Sequence, residues 1–108
     1  MIPRWRSEAL VETPRAPRYL TQLCKHFAHE AEALPGRVRI EYNEEYVFAD
    51  FGWLGSCIMH ARPEGLQLRA AARDPIRLLL VERVMASHLE LFGRRDGLLV
   101  RWSRTSGS

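Results

Sequence analysis

Apolar residues recur at helical spacing between residues 18 and 34. The stripe is formed by Leu20, Leu23, Cys24, Phe27, Ala31 and Leu34, which follow a 3.6-residue period. Pro17 suits the first position of a helix, because the N–H that proline lacks would have no partner there. The Pro35-Gly36 pair then stops the helical pattern. This segment is therefore predicted to form an amphipathic helix.

A second helix is predicted for residues 75 to 92. Asp74 precedes Pro75, and an aspartate N-cap followed by proline is a common start for a helix. Gly93 is the residue type expected just after the last turn. The apolar face is predicted to contain Leu80, Val81, Val84, Leu91 and Phe92, with His88 in its middle.

Alternating apolar and polar residues predict strands in the rest of the chain. These segments are 7–12, 37–42, 55–62, 66–72 and 98–102, while 45–53 either continues the second strand past a bend or forms a strand of its own. The tripeptide at 63–65, Pro-Glu-Gly, has the chemistry of a hairpin turn. The order β-α-β-β-β-α-β predicts an α+β fold. We expect a two-layer α/β sandwich, with both helices on one face of a largely antiparallel sheet.

The length and composition indicate a single domain over residues 1–108, with a core at about 7–103 and a flexible tail at 104–108. There is no apolar run of membrane-spanning length and no apolar signal-peptide core, so we expect a cytoplasmic location and no membrane partner. The net charge of +3 comes from 16 basic and 13 acidic residues that are interspersed. For that reason we do not expect a nucleic-acid partner.

The first helical segment carries two histidines outside its apolar stripe. His26 and His29 are three residues apart, and Glu30 is four residues from His26. Side chains at these spacings are neighbours on the surface of a helix. Imidazole and carboxylate are ligands for transition metals, and these three residues are the candidate metal site. Cys24 falls inside the stripe and is expected to act as a small hydrophobic residue. Solvated polar residues produce the same pattern, so we expect no cofactor and no stoichiometric metal.

A second candidate site follows the predicted second helix. His88 is either a core histidine bonded to a carbonyl or carboxylate group, or a ligand or acid–base group. Arg94 and Arg95 are favoured by the helix dipole, and Asp96 is close enough in sequence to pair with either. The same arginines are suited to gripping an anion. His88, Arg94, Arg95 and Asp96 are therefore the candidate ligand-binding residues, for a small molecule of unknown identity.

The stretch 45–53 carries large apolar side chains on both of its faces. Tyr46 and Phe48 alternate against Val47, Phe51 and Trp53, whereas helices cover only one face of a two-layer sheet. Tyr46, Phe48, Phe51 and Trp53 are therefore the candidate interface for a homodimer or a protein partner. The alternative is that residues 49–56 form a loop folded back over the sheet edge.

Three segments carry a resemblance to a known family. They are RYLTQLCKHFAH at 18–29, GSCIMHARPEGLQLRAAA at 55–72 and HLELFGRRDGLLVRW at 88–102. Together they resemble a small bacterial family catalogued as domain of unknown function twenty-two eighteen, over about residues 7–103. The resemblance implies no catalytic residue, because the family has no established activity. It does imply a loose link to siderophore-interacting, iron-related proteins.

Motifs for catalysis are missing from the sequence, which has no G-x-S-x-G, no Walker loop and no G-x-G-x-x-G. The leading hypothesis is a non-enzymatic accessory or binding domain that acts as a dimer or on a partner. The first alternative is metal, iron or haem handling through His26, His29 or His88. The second is a small-molecule enzyme that uses His88 with the Arg94-Arg95-Asp96 cluster. We do not expect an enzyme, because no nucleophile–base pair can be identified.

Overall fold

A computed structural model of the chain describes residues 5–33 and 36–105. The elements run in the order β1 (Trp5–Glu12), α1 (Ala16–Ala33), β2 (Arg39–Tyr42), β3 (Tyr46–Asp50), β4 (Ser56–Arg62), β5 (Gly65–Ala72), α2 (Pro75–Phe92) and β6 (Ser103–Thr105). Short 3₁₀ helices follow β3 at Gly52–Leu54 and α2 at Arg94–Asp96. The segment at 45–53 thus forms a strand of its own, so four strands, not three, lie between the helices.

The strands form one six-stranded sheet in the order β2-β3-β4-β5-β1-β6, and every pairing is antiparallel. Its register aligns Val47, Met59, Leu68 and Ala9 in one row across β3, β4, β5 and β1. All four are buried, because α1 packs over β2 to β5 and α2 packs over β1, β4 and β5. The predicted α+β sandwich with both helices on one face is confirmed.

The β4–β5 hairpin turns where the sequence predicts it. Gly65 begins β5 directly opposite Glu12 of β1. A side chain at this position would collide with the backbone carbonyl of Val11. Glycine is required there because β1 approaches the turn too closely for a Cβ atom.

The first helix buries the side that its periodicity predicts. Leu20, Leu23 and Phe27 are buried against the sheet, and Cys24 and Ala31 pack at the margin of the core. The last predicted stripe position, Leu34, lies outside the described residues. The pattern was informative because polar residues such as Thr21, Gln22 and Lys25 occupy the exposed side of α1.

The second helix is rotated relative to our prediction. Its core side is made by Leu78, Val81, Met85 and Leu89, whereas the predicted core residues Leu80 and Leu91 are exposed. The run Leu78-Leu79-Leu80-Val81 is apolar on all sides, so periodicity does not identify one stripe. As a consequence, His88 lies beside the core rather than in its middle, and it is half-buried.

The last strand was predicted at 98–102, and this is wrong. Residues 98–102 have no strand conformation, and the backbone N–H of Val100 donates to the Glu90 carboxylate at 2.9 Å instead of to a neighbouring strand. Strand β6 begins at Ser103 and pairs with Arg6–Glu8 of β1. Residues 104 and 105, expected in a flexible tail, are therefore part of the sheet. Residues 106–108 lie outside the described residues.

Candidate functional site

The two helices bring His26 and His88 into contact. The centroids of the two imidazole rings are 4.4 Å apart, with 45° between the ring planes. Phe27 lies 5.5 Å from the His88 ring, and Phe92 lies 5.7 Å from the His26 ring. Both imidazoles are half-buried, so the pair meets in a largely apolar setting between α1 and α2.

Glu30 completes a group of three possible metal ligands. One ligand atom each from His26, Glu30 and His88 lies within 4.8 Å of the other two. Glu30 is one helical turn after His26, and the distance from His26 Nε2 to Glu30 Oε1 is 3.7 Å. A tetrahedral ion with bonds of ~2.1 Å separates neighbouring ligand atoms by roughly 3.4 Å. Small side-chain movements are therefore enough to bring the three atoms onto one ion.

A hydrogen bond determines which nitrogen of His88 is free. The Nδ1 atom of His88 lies 2.7 Å from the carbonyl oxygen of Val84, one turn earlier in α2. Because a carbonyl oxygen only accepts, His88 Nδ1–H must donate, which leaves the lone pair on Nε2. An N–H···O=C bond of this kind is the usual outer support of a metal-binding histidine.

His26 has a buried nitrogen without a partner. Among the described residues, nothing hydrogen-bonds to His26 Nε2, although this atom is inaccessible to solvent. Burial lowers the pKa of His26, the neighbouring His88 lowers it further, and Glu30 acts in the opposite direction. His26 is thus neutral near pH 7, which is the form of imidazole that binds metal ions.

A cavity of about 530 Å³ opens beside these ligands. Glu30 and His88 line one part of it. The remaining wall is mostly apolar and comprises Gly36, Arg37, Val38, Phe51, Gly52, Trp53, Leu54 and Val84. An ion held by the three ligands would border a space large enough for a small organic molecule.

The predicted metal residues are only partly assembled. His26 and Glu30 lie together, whereas His29 is exposed and outside the cluster. His88, from the other predicted site, takes the third place. Cys24 is half-buried and burial raises its pKa, while complete burial raises the pKa of Cys57 to about 12.

The predicted ligand-binding residues divide between two places. His88 lines the first cavity, whereas Arg94, Arg95 and Asp96 line a second cavity of about 520 Å³. In that second cavity the Asp96 carboxylate accepts hydrogen bonds from the Tyr19 hydroxyl and, at 2.7 Å, from Arg15. A single site that combines His88 with the Arg94–Asp96 segment is therefore not formed.

The four predicted interface residues lie in two different parts of the molecule. Tyr46 and Phe48 are half-buried and lie on the sheet face that the helices leave open, since Val47 and Ala49 between them point into the core. Phe51 and Trp53 instead line the first cavity. Trp53 is 69% exposed, and the guanidinium carbon of Arg77 lies 5.0 Å from the centroid of its ring.

Several residues at these sites were not identified from the sequence. They are Arg37, Leu54 and Val84 in the first cavity, and Arg15, Arg18 and Tyr19 in the second. None belongs to a motif, and each reaches its site through tertiary packing. The only local signal was the close spacing of Arg15 and Arg18 at the start of a predicted helix.

Comparisons with known proteins identify relatives without a known activity. A family model described as an uncharacterized protein conserved in bacteria (DUF2218) matches residues 8–103. The NMR structure of PA4090 from Pseudomonas aeruginosa is similar, with a TM-score of 0.71 and 29% sequence identity over 95% of this chain and 96% of that chain. No curated protein matches the chain. These comparisons do not show the siderophore link that the resemblance implied. Within the described residues, neither helix has an apolar stretch that would cross a bilayer.

Proposed function

The chain belongs to the DUF2218 family of uncharacterised proteins conserved in bacteria, and we propose that it binds a divalent transition-metal ion through His26, Glu30 and His88. The observation that carries this proposal is the convergence of three ligand atoms within 4.8 Å, from two different helices. Two imidazoles and one carboxylate suit zinc, iron or copper better than calcium or magnesium, which prefer oxygen ligands alone.

The energetics of the unligated site also support metal binding. Among the described residues, His26 Nε2 is buried and makes no hydrogen bond, because Glu30 Oε1 at 3.7 Å is beyond hydrogen-bond distance. Coordination to an ion would give this nitrogen a partner. His88 already has its outer hydrogen bond to Val84, so the orientation of its ring is set before an ion arrives.

The ligand count indicates a metal that is available to other molecules. Structural zinc sites are closed by four protein ligands, whereas three ligands leave a position open. Glu30 and His88 line the first cavity, so the open position would face that space. The proposed role is thus a binding domain that presents a metal ion to a small ligand, and we assign no reaction to it.

The metal hypothesis now ranks above the interface hypothesis. The sequence alone led us to expect no stoichiometric metal, because solvated polar residues on a helix produce the same pattern as His26, His29 and Glu30. His88 supplies a third ligand with the free nitrogen and the outer hydrogen bond that a metal site needs. The four aromatic residues proposed for an interface lie partly on the open sheet face and partly at the cavity.

The test is a metal titration of protein purified without a histidine tag. Cobalt(II) should bind in a 1:1 ratio and produce a visible ligand-field spectrum, which zinc should abolish by displacement. His26→Ala and His88→Ala should each weaken binding by at least about tenfold, the usual scale of a lost contact worth ~1.4 kcal/mol. His29→Ala is the matched control on the same helix and should bind like the wild type.

Two outcomes would contradict the proposal. If neither metal binds in a 1:1 ratio, the three residues do not form a metal site. If His29→Ala weakens binding as much as His88→Ala, the ion is held on the outer side of α1, by the group that the sequence alone suggested. Glu30→Gln should weaken binding in either case, because Glu30 belongs to both groups, so the comparison of His29→Ala with His88→Ala decides between them.

A further inference from the structure

Four arginines from opposite ends of the chain converge at the second cavity. Arg15 precedes α1 and Arg18 lies in its first turn, while Arg94 and Arg95 follow α2 in a 3₁₀ helix. All four line the same concavity of about 520 Å³, together with Asp96. We refer to this feature as the arginine pocket.

The arginine pocket holds the excess positive charge of the chain. Its four arginines and one aspartate give +4 − 1 = +3. The formal net charge of all 108 residues is also +3. The remainder of the chain therefore carries no net charge.

The one carboxylate in the pocket is already engaged. Asp96 accepts hydrogen bonds from Arg15 and from the Tyr19 hydroxyl, and these two contacts hold the pKa of Asp96 below its ordinary value. Among the described residues, Arg18, Arg94 and Arg95 form no salt bridge. The charge of Arg18 also acts on Asp96, so four guanidinium groups share one carboxylate in the pocket, and a ligand with several negative charges would offset the rest.

We propose that the arginine pocket binds a small organic anion with two or more negative charges, of the phosphate-ester or polycarboxylate class. Guanidinium groups form paired hydrogen bonds with both phosphate and carboxylate. Leu91 and Phe92 also line the pocket, so an apolar part of the ligand would have a surface to contact. The pocket shares none of its residues with the three proposed metal ligands, so this proposal does not depend on metal binding.

The rest of the surface favours a small anion over a nucleic acid. Outside the pocket, three of the ten described arginines, Arg69, Arg77 and Arg104, each form an ion pair with a carboxylate, and the chain apart from the pocket carries no net charge. An extended polyanion requires a continuous basic stripe. A concavity of about 520 Å³ has instead the size of a small-molecule site.

The experiment uses amide chemical shifts of labelled protein during titration with inorganic phosphate and, separately, with citrate. Sodium chloride at matched ionic strength is the reference for general screening. Saturable shifts confined to residues 15–19 and 91–96 are expected. The stronger of the two probes identifies phosphate or carboxylate as the preferred class. His88→Ala, which removes a proposed metal ligand outside the pocket, should bind the anion like the wild type, which separates this result from the metal proposal.

Substitutions test whether the pocket itself is responsible. Arg94→Gln and Arg18→Gln should each weaken anion binding by about tenfold, as expected for loss of a charge-assisted contact. The matched control is Arg83→Gln, which removes an exposed arginine from α2 outside the pocket and should leave binding unchanged. The amide spectra also show directly that each variant remains folded.

The proposal is overturned if chloride reproduces the shifts, or if neither probe produces saturable shifts. It is overturned as well if Arg83→Gln weakens binding as much as Arg94→Gln, because the effect then comes from net charge. If a duplex DNA binds the protein, and Arg83→Gln and Arg94→Gln weaken its binding equally, the partner is a polyanion instead of a small anion.

Discussion

The residue that contacts His26 is His88 and not His29, which differs from what helix periodicity predicts. Spacing within α1 puts His29 beside His26, yet His29 is exposed and the ring of His88 lies 4.4 Å from that of His26. Periodicity describes neighbours along one helix, so a ligand from a second helix cannot be identified until the helices are packed. His26 and Glu30 could be predicted as a pair because they are one turn apart, but their partner could not.

The lowered pKa of His26 predicts a pH dependence of stability. His26 binds a proton less readily in the folded state than in the unfolded state, where its pKa is ~6.5. The contribution of His26 to the free energy of unfolding is therefore fully present above pH ~6.5. It is lost progressively as the pH falls from there through the pKa of His26 in the folded state. Urea unfolding of metal-free protein between pH 7.5 and 5 measures this effect. The free energy of unfolding should fall less steeply with pH in His26→Ala than in the wild type. His29→Ala should keep the wild-type slope, and an unchanged slope in His26→Ala would contradict the expected neutral, buried ring.

Burial of the two thiols predicts their order of reactivity. Cys57 is fully buried with a pKa raised to about 12, whereas Cys24 is only half-buried. Because the thiolate is the reactive form, Cys57 should remain unlabelled by a thiol reagent at pH 8 in the folded protein, and Cys24 should react slowly. Mass spectrometry of Cys24→Ala should show labelling only after urea is added. Labelling of folded Cys24→Ala would mean that β4 opens to solvent.

At the scale of elements, the ends of α2 were predictable and its rotation was not. The N-cap forms as expected, with the Asp74 carboxylate accepting from the Arg77 backbone N–H at 2.7 Å. Such caps depend on residue types at fixed spacing, which a sequence displays directly. The buried side depends on which of many apolar residues meets the sheet, and local pattern alone does not determine this.

The rotation of α2 can be tested with two truncations. Met85 is completely buried, whereas Leu80 is 42% exposed, although the sequence placed Leu80 in the core. Met85→Ala should lower the free energy of unfolding by about 2–5 kcal/mol, as for other buried large-to-small changes. Leu80→Ala should cost under about 1 kcal/mol. Urea denaturation of both variants measures these changes. Equal losses in the free energy of unfolding would support the rotation of α2 that the sequence pattern predicts.

Strand β6 is linked to α2 by an ion pair that the sequence did not reveal. Glu82 is buried in α2 and its carboxylate lies 3.2 Å from Arg104 of β6. Arg104→Ala would leave this carboxylate without its partner, so we expect destabilisation and faster amide exchange at the strand pairing between β6 and β1. Arg101→Ala removes a nearby exposed arginine and serves as control. Equal exchange in the two variants would show that backbone pairing alone holds β6 in place.

At the scale of the whole molecule, the layers could be predicted and the convergence of distant residues could not. Alternation and helical periodicity were enough to identify an antiparallel sheet covered on one face by α1 and α2. The proposed metal ligands and the arginine pocket arise because residues far apart in sequence meet when these layers pack. Packing geometry of that kind is determined by the whole core, and no short segment of sequence contains it.

The proposed ion would join α1 to α2, which predicts a stabilisation of the whole molecule. An ion that binds only the folded state raises the free energy of unfolding by RT ln(1 + [L]/Kd), or about 2.7 kcal/mol at a free concentration of 100 Kd. Zinc should therefore shift the urea midpoint of the wild type and of His29→Ala by the same amount. His88→Ala should show a much smaller shift, because its ion would contact α1 alone. An equal shift in His88→Ala would mean that zinc stabilises the protein without linking the helices.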